Sequence, residues 1–343
     1  MYLFKVRLSV EKQLLALCNF FEYDNRRSTS LMTQFLLRHE VIEFNVSDLI
    51  RELVNIANLG DTMKDYLKLL RVKHYIKNFL VFVPLFFGGA MLSITKLGTA
   101  CLGFFAFAAI SSAIYILNDL QDIERDRKHP TKCKRPLASG RIKKEAALVM
   151  LGVCICFAAM ISVLLGSLTS VIYLALYFAL NVAYSMGLKN KPIIDVVILA
   201  SGFVLRIYYG GAITGIQIST WLFLVVAVGS LYMGLGKRRN ELMMTKSGDT
   251  RAVLQYYNKE FLDKNMYVCM ALADVFYAMW TLEMSDTRMR WTIPLFIILL
   301  MCYSLNVEGN SDGDPVEVIM QDKILVSLIL LYATGIFSLL YIF

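Results

Sequence analysis

Nine long apolar segments restrict what this sequence can fold into more than any other feature. Each is close to the length that crosses a lipid bilayer as an α-helix, and the apolar residues run continuously instead of alternating as in a membrane β-barrel. Hydrophobic residues make up 57% of the 343 residues and charged residues 18%, against about 25% charged residues in a soluble domain. The sequence therefore predicts an all-α, polytopic membrane bundle of nine transmembrane helices. The segments are 78–95, 99–118, 146–166, 168–186, 194–214, 220–236, 265–283, 291–305 and 324–343.

The basic residues predict the orientation of this bundle. Lys and Arg exceed Asp and Glu by 35 − 27 = 8, a surplus that in a membrane protein reports topology, so no nucleic-acid partner is predicted. The side that precedes the first span carries 24 basic residues, whereas the other side has only Lys96, Arg288 and Arg290. Acidic residues follow the same division, 16 against two. We expect a cytoplasmic N-terminus, an outer C-terminus and a polar cavity that opens to the cytoplasm.

The N-terminal part, residues 1–62, differs from the rest in having no apolar segment of membrane length. No signal peptide is expected, because a basic region, an apolar core and a small-residue cleavage site are missing. Apolar residues at 14–21 and 49–57 recur at helical spacing. They predict a cytoplasmic amphipathic extension, or a poorly ordered one, ahead of a membrane domain at 63–343.

A run of oxygen-bearing side chains follows the second apolar segment. Asn118, Asp122 and Asp126 are spaced i, i+4 and i+8, which places them on one face of a helix. Mg²⁺ prefers hard oxygen ligands and usually binds through one or two carboxylates together with substrate phosphates. The pattern predicts a magnesium site, and the alternative is a solvated helix end with Asp–Arg pairs.

A basic loop framed by proline and glycine comes next, at residues 129–141. The asparagine–aspartate run followed by Arg135-Pro136-Leu137-Ala138-Ser139-Gly140 resembles the first signature of the UbiA prenyltransferase superfamily. The resemblance extends over residues 64–343. It implies an intramembrane helical bundle that holds a diphosphate substrate through Mg²⁺.

The second aspartate-rich motif of that superfamily is altered in this sequence. Most members carry a D-x-x-x-D pair, but here Lys189 and Asp195 stand in that region and position 199 is Leu. The order Y-S-x-x-L-K-x-x-x-x-x-D from Tyr184, followed by G-F-x-x-R ending at Arg206, resembles the decaprenyl-phosphate phosphoribosyltransferase branch. Residues 71–78 and 236–242 are also similar to that branch.

This resemblance implies a function and a set of site residues. The function is transfer of 5-phosphoribose from phosphoribosyl diphosphate to a polyprenyl phosphate, in cell wall biosynthesis at the cytoplasmic face of a bacterial inner membrane. A homo-oligomer is compatible with it. The implied catalytic residues are Asp122, Asp126, Lys189 and Asp195, and the metal ligands are Asn118, Asp122 and Asp126. The implied substrate-binding residues are Lys77, Asn78, Lys134, Arg135, Tyr184, Arg206, Lys237, Arg238 and Glu241.

Two of these basic residues have a simpler interpretation. Arg206 lies 11 residues after Asp195, on nearly the same helix face and about 16 Å deeper, so it needs a partner. That partner is Asp195, Asp274 or a substrate phosphate, and an Arg206–Asp274 ion pair joining two helices is the structural alternative. Lys237 and Glu241, at i and i+4, are spaced to bridge each other.

Two other functions compete with the phosphoribosyl transfer. A membrane prenyltransferase that moves a prenyl group from its diphosphate to an aromatic or other small acceptor shares the first motif, but is expected to have the second carboxylate pair. A transporter is expected to carry charge along a whole path through the membrane. The nearly uncharged outer side argues against the transporter.

Overall fold

The computed structural model describes residues 62–129, 131–244, 251–284, 286–309 and 314–342. The predicted N-terminal extension therefore lies, except for its last residue, outside the described part of the chain. Within that part the protein is helical and contains no β-strand. The all-α bundle predicted from the apolar segments is confirmed.

The helices follow one another with short connections. A helical segment at 62–70 leads into a 3₁₀ segment, Val72–Phe82. The α-helices are α1 (Val83–Phe87), α2 (Ile94–Gln121), α3 (Ile123–Lys128), α4 (Lys144–Leu165), α5 (Leu168–Met186), α6 (Ile194–Thr214), α7 (Thr220–Met244), α8 (Lys259–Glu283), α9 (Ile293–Glu308), α10 (Pro315–Gln321) and α11 (Lys323–Tyr341). Short 3₁₀ turns lie at Lys132–Lys134, Leu188–Asn190, Ala252–Tyr256 and Thr287–Thr292.

Seven helices in the described residues are long and apolar enough to cross a membrane. They are α2, α4, α5, α6, α7, α11 and the stretch Thr287–Glu308 that contains α9. The predicted number of nine is not confirmed. The first apolar segment forms the 3₁₀ segment and the five-residue α1 instead of one long helix, and the 25-residue α8 is less apolar than the seven.

Helix α2 lies at the centre of the bundle and packs against α4, α5, α6 and the 3₁₀ segment. Its buried face is rich in small residues, among them Ala106, Ala113 and Ser112. Small side chains let helices approach closely, which is how membrane helices associate when hydrocarbon offers no hydrophobic driving force. The Ser112 hydroxyl donates to the carbonyl of Leu70 at 2.9 Å and accepts a hydrogen bond from the Tyr75 hydroxyl at 2.8 Å.

Helix α6 holds the 3₁₀ segment against the bundle. A Cβ atom on Gly210 would lie 2.1 Å from the carbonyl oxygen of Val81, so only glycine permits this approach. At the other end of the chain, the Tyr341 hydroxyl donates to the carbonyls of Leu85 and Phe86 at 3.0 and 2.6 Å. These contacts fix α1 and the 3₁₀ segment, and the 3₁₀ segment carries Lys77 and Asn78.

Candidate active site

One end of the bundle contains a polar cavity of about 570 Å³. It is formed by the ends of α2, α5 and α7, by α3 and by the loops that follow them. The predicted motif-bearing loops therefore meet at one place. The cavity is lined by Arg71, Asn118, Asp122, Arg125, Asp126, Lys132, Arg135, Tyr184, Ser185, Lys189, Asn190, Glu241, Arg251, Ala252 and Leu254.

The lining of this cavity is charged and mostly basic. Six side chains are cationic and three are carboxylates, a formal balance of 6 − 3 = +3. A concave surface with one prevailing sign of charge concentrates ligands of the opposite sign. The cavity is suited to a polyanion. The cations are Arg71, Arg125, Lys132, Arg135, Lys189 and Arg251, and the carboxylates are Asp122, Asp126 and Glu241.

The three predicted metal ligands all line this cavity, although they do not share one continuous helix. Helix α2 ends at Asp122, where the backbone turns (φ −98°, ψ 10°), and α3 begins there and carries Asp126. Asn118 lies in the last turn of α2, and its Oδ1 accepts a hydrogen bond from the Ser185 hydroxyl. The three side chains therefore line one cavity across a break in the helix, and their role as metal ligands stays a prediction.

The chemistry of these side chains fits Mg²⁺. Two carboxylates and an amide oxygen are hard ligands, and Mg²⁺ normally completes its octahedron with water and substrate phosphates. Among the described residues there is no group of three or more His, Cys, Asp or Glu side chains that could hold a metal ion. The set of Asn118, Asp122 and Asp126 thus fits an ion that is held jointly with an anionic substrate.

Arg135 is held at the cavity wall by two carboxylates. Its Nη1 lies 2.7 Å from Asp126 Oδ2 and 3.1 Å from Asp119 Oδ1, and Arg71 Nη2 also contacts Asp119 Oδ1, at 2.7 Å. Asp119 is buried, whereas the Arg135 side chain keeps 31% of its surface exposed. Asp119 therefore anchors two cavity arginines, a role that the sequence analysis did not assign to it.

Asp195 lies behind the cavity wall and holds Arg238. Its Oδ2 is 2.5 Å from Arg238 Nε, its Oδ1 accepts from the Tyr257 hydroxyl at 2.6 Å, and the side chain is fully buried. Arg238 donates onward to the Tyr184 hydroxyl at 3.0 Å and to Glu241 Oε2 at 2.6 Å. In this arrangement Asp195 orients groups that line the cavity, and its direct contact with substrate stays a prediction.

Tyr257 completes this network as a neutral hydroxyl. Burial and the hydrogen bond to Asp195 raise the pKa of Tyr257 to about 12. A neutral phenol can donate to the carboxylate, which a phenolate cannot do. Both oxygens of Asp195 are thereby satisfied in a buried place, where an unpaired carboxylate would be costly.

One predicted substrate-binding residue of the basic loop lies outside the cavity, and its contact with substrate stays a prediction. Lys134 is exposed and does not line the cavity, whereas Lys132 does. The two residues lie in a 3₁₀ turn, Lys132–Lys134, where side chains two positions apart point about 120° away from each other. The number of basic residues indicated that this loop contributes to the site, but it did not predict which side chains point into the cavity.

Other cavity residues were also missed. Arg71 lies in the block 71–78 that carried the resemblance, and Arg125 lies within the carboxylate run, so the sequence held a signal for both. Arg251 stands alone in a polar loop and gave none. It lines the cavity and donates to the Tyr184 hydroxyl at 2.6 Å.

Arg206 is buried among neutral partners. Its Nε donates to Asn78 Oδ1 at 2.9 Å, its Nη2 to the Tyr177 hydroxyl at 3.0 Å and its Nη1 to the carbonyl of Gly202 at 2.7 Å. Its guanidinium also lies 4.8 Å from the ring centroid of Phe107, within the range of a cation–π contact. The alternative ion pair with Asp274 is not formed, nor is one with Asp195.

The remaining predicted residues, Lys77 and Lys237, contact a carboxylate from another part of the chain. Lys77 Nζ is 2.9 Å from Asp314 Oδ2, and Lys237 Nζ is 3.6 Å from the same atom. Neither lysine lines the 570 Å³ cavity. The predicted set thus divides into a cavity group, the Asp195–Arg238 pair, the Arg206–Asn78 pair, the two lysines and the exposed Lys134.

The fold and the site together define an integral membrane protein of the helical-bundle class, with a cavity at one end suited to hold a polyanion. The chain belongs to the UbiA prenyltransferase family, whose model matches residues 81–314.

Similar proteins extend this assignment. The decaprenyl-phosphate phosphoribosyltransferase of Corynebacterium glutamicum is 34% identical over 83% of this chain and 88% of its own length. The enzyme of the same name from Mycolicibacterium smegmatis is 31% identical over 77% and 88%. Among solved structures, a UbiA homologue from Archaeoglobus fulgidus bound to GPP and Mg²⁺ matches with a TM-score of 0.63 and 20% identity, over 80% of this chain and 99% of that one. That likeness shows the fold.

Proposed function

We propose that this protein transfers 5-phosphoribose from phosphoribosyl diphosphate to a polyprenyl phosphate and releases diphosphate. The observation that carries the proposal is the cavity, in which the oxygen ligands of the first motif face Lys189 and Arg251 instead of a second aspartate pair. The name shared by relatives that align over most of both chains supports the same reaction.

The reaction requires positioning and charge stabilisation more than a base. A phosphate monoester is largely dianionic near neutral pH, because its second pKa is about 6, so the acceptor oxygen needs no proton removed before it attacks C1 of the ribose. Asn118, Asp122 and Asp126 would hold Mg²⁺, which when bound would neutralise charge on the leaving diphosphate. Lys189 supplies a compact positive charge for a phosphate.

The protein's own cations would orient the donor. Arg135 is fixed by Asp119 and Asp126, and the Asp195–Arg238 pair holds Tyr184 at the cavity wall. Side chains held in advance of binding lose little conformational freedom when the substrate arrives, which favours both affinity and rate. These residues therefore act together as a rigid frame around the donor.

The proposal includes a location. The division of 24 basic residues against three favours a cavity that faces the cytoplasm. We place the protein in the plasma membrane of a bacterium, where a polyprenyl phosphate reaches the cavity from the bilayer and phosphoribosyl diphosphate from the cytoplasm.

Ligand protection separates this function from prenyl transfer. The purified full-length protein is heated with Mg²⁺ and either phosphoribosyl diphosphate or a short-chain prenyl diphosphate, and a ligand that binds the folded state raises the unfolding midpoint. We expect phosphoribosyl diphosphate to protect more, and Lys189→Ala to weaken that protection. Lys191→Ala is the matched control, because Lys191 is exposed, two residues away and not on the cavity. Stronger protection by the prenyl diphosphate, unaffected by Lys189→Ala, would favour a membrane prenyltransferase.

A further inference from the structure

Two lysines beside the cavity share a single carboxylate. Lys77 comes from the 3₁₀ segment, Lys237 from α7, and Asp314 from the residue before α10. The side chains retain 16%, 32% and 13% of their surface exposed. Three distant parts of the chain therefore bring two positive charges and one negative charge into a largely enclosed place.

This cluster adjoins the cavity without being part of it. Glu241, which lines the cavity, lies one turn after Lys237 on α7, a distance of about 6 Å along the helix. Arg71, which also lines the cavity, lies six residues before Lys77. On the membrane-length helix α7, Lys237 is nearer to the middle of the helix than Glu241 is. A ligand group held by the lysines would be next to a ligand in the cavity and closer to the bilayer.

The charges in the cluster are not balanced. Burial alone would raise the pKa of Asp314, but Lys77 and Lys237 outweigh this effect and hold the pKa at about 2. Asp314 is therefore ionised and supplies one negative charge to two ammonium groups. Burial also lowers the pKa of Lys77, because an ammonium group loses hydration there. A dianion would match the two lysines better than a single carboxylate does.

The surroundings suit a phosphate with a lipid attached. Nδ2 of Asn78, the residue next to Lys77, is a buried donor with no partner among the described residues. Ile76 and Phe79 lie three positions apart and so share one face of this 3₁₀ segment. Both are exposed, and Phe79 packs on Phe104 with ring centroids 5.1 Å apart. The segment thus presents the lysine, the spare donor and an apolar surface on three faces about 120° apart.

We propose that Lys77 and Lys237 form a second anion subsite, which binds the phosphate of the lipid acceptor, and that Asp314 is the counter-ion that this phosphate replaces. The assignment rests on the proposed function, because it names the place of one of the two substrates. The ligand group is a phosphate dianion, which inorganic phosphate and ribose 5-phosphate also present near neutral pH. The position of the two lysines nearer to the bilayer and the apolar surface of Ile76 and Phe79 favour polyprenyl phosphate over these two soluble phosphates.

The test uses the full-length protein in lipid nanodiscs. One measurement is the thermal protection given by polyprenyl phosphate, inorganic phosphate or ribose 5-phosphate, each without donor, and the other is the KM for acceptor and for donor during turnover. The variants are Lys77→Ala, Lys237→Ala and Asp314→Asn. Lys73→Ala is the matched control, because Lys73 lies on the same 3₁₀ segment and is exposed.

The lysine variants are expected to raise the KM for polyprenyl phosphate about tenfold or more, since each removes a charge-assisted hydrogen bond, and to leave the KM for phosphoribosyl diphosphate within about threefold. Asp314→Asn should lower the acceptor KM and increase protection by polyprenyl phosphate, an effect that a merely structural Asp314 would not produce. Inorganic phosphate should protect the unchanged protein weakly against thermal unfolding, and this protection should be lost in the Lys77→Ala and Lys237→Ala variants. Lys73→Ala should behave as the unchanged protein.

Two outcomes would overturn the subsite. One is a rise in the donor KM instead of the acceptor KM in the lysine variants. The other is protection by ribose 5-phosphate, and not by polyprenyl phosphate, that depends on Lys77 and Lys237. If instead polyprenyl phosphate binds through the two lysines but no phosphoribose is transferred, the subsite stands and the proposed function fails.

Discussion

Asp122 and Asp126 differ in what already engages them, and this difference decides how each can be tested. Asp126 is buried and paired with Arg135, so its removal would disturb the cavity wall as well as any bound metal. The Asp122 carboxylate has no hydrogen bond or ion pair among the described residues and lines the cavity. A substitution at Asp122 should therefore affect metal binding with less disturbance of the fold than a substitution at Asp126.

Asp122→Asn is expected to lower turnover about 100-fold or more. The reason is that Mg²⁺, which would neutralise charge on the leaving diphosphate, would lose a charged ligand. The unfolding midpoint in the absence of ligand should change by no more than about 3 °C. Glu124→Gln is the control, since Glu124 is exposed and pairs only at the surface with Arg127. Near-normal turnover of Asp122→Asn in Mg²⁺ would contradict the metal assignment.

His74 provides a pH test of the cationic surroundings of the cavity. Burial and the nearby charge of Lys77 lower the pKa of His74 to about 4, against about 6.5 in the unfolded chain. Between these values the unfolded state binds more protons, so the stability of the folded state falls as the pH falls. We expect His74→Gln to show a smaller loss of thermal midpoint between pH 7 and pH 5 than the unchanged protein. Each midpoint at pH 5 is compared with that of the same protein at pH 7, which removes the direct effect of the substitution on stability. Equal losses of midpoint in the variant and the unchanged protein would refute the low pKa of His74.

At the residue scale the sequence predicted which side chains are polar and where they cluster, but not which partner each one has. Asn118, Asp122 and Asp126 reach one cavity because they lie close together in the sequence, around the junction of α2 and α3. The partners of Arg206 proved to be Asn78 and Tyr177, and Asp195 proved to lie behind the cavity, because both depend on how distant helices pack. Such contacts join residues far apart in sequence, and no local pattern encodes them.

At the scale of elements, the contact between α6 and the 3₁₀ segment makes a distinct prediction. Gly210→Ala would drive a methyl group into the carbonyl of Val81 and force the segment outwards, at a cost of about 1–3 kcal/mol. The segment carries Lys77 and Asn78, so activity should fall together with the thermal midpoint. Gly152→Ala is the control, because a Cβ there meets nothing within 4 Å. A Gly210→Ala protein of unchanged stability would show that this approach is not close.

The long apolar helices were the most predictable elements and the first segment the least. Six α-helices and the stretch Thr287–Glu308 qualify as spans where apolar segments had been identified. The segment 78–95 differs, because Pro84 lies in the first turn of a new helix and the chain leaves that helix at Gly88 and Gly89. Apolar content does not distinguish a 3₁₀ segment from an α-helix, so the composition of this region did not predict its geometry.

At the scale of the whole molecule, the loops that carry the cavity lie at one end of the bundle, and their orientation in the membrane is testable. Single cysteines at Ser139 and Lys191, in a background without the seven native cysteines, should react with an impermeant reagent only from the cytoplasmic side. A cysteine at Ser219, at the start of α7, should react only from outside. Reaction of Ser139→Cys and Lys191→Cys from opposite sides would be incompatible with the predicted topology.

Transfer of 5-phosphoribose to a polyprenyl phosphate can be followed with a labelled sugar. Nanodiscs that contain the full-length protein and polyprenyl phosphate are incubated with phosphoribosyl diphosphate labelled in the ribose, and the lipid is extracted. We expect labelled lipid and one equivalent of diphosphate in Mg²⁺, almost none after chelation, and almost none with Asp122→Asn. Absence of label from the lipid in the unchanged protein, together with transfer of a prenyl group from a prenyl diphosphate under the same conditions, would contradict the proposed transfer.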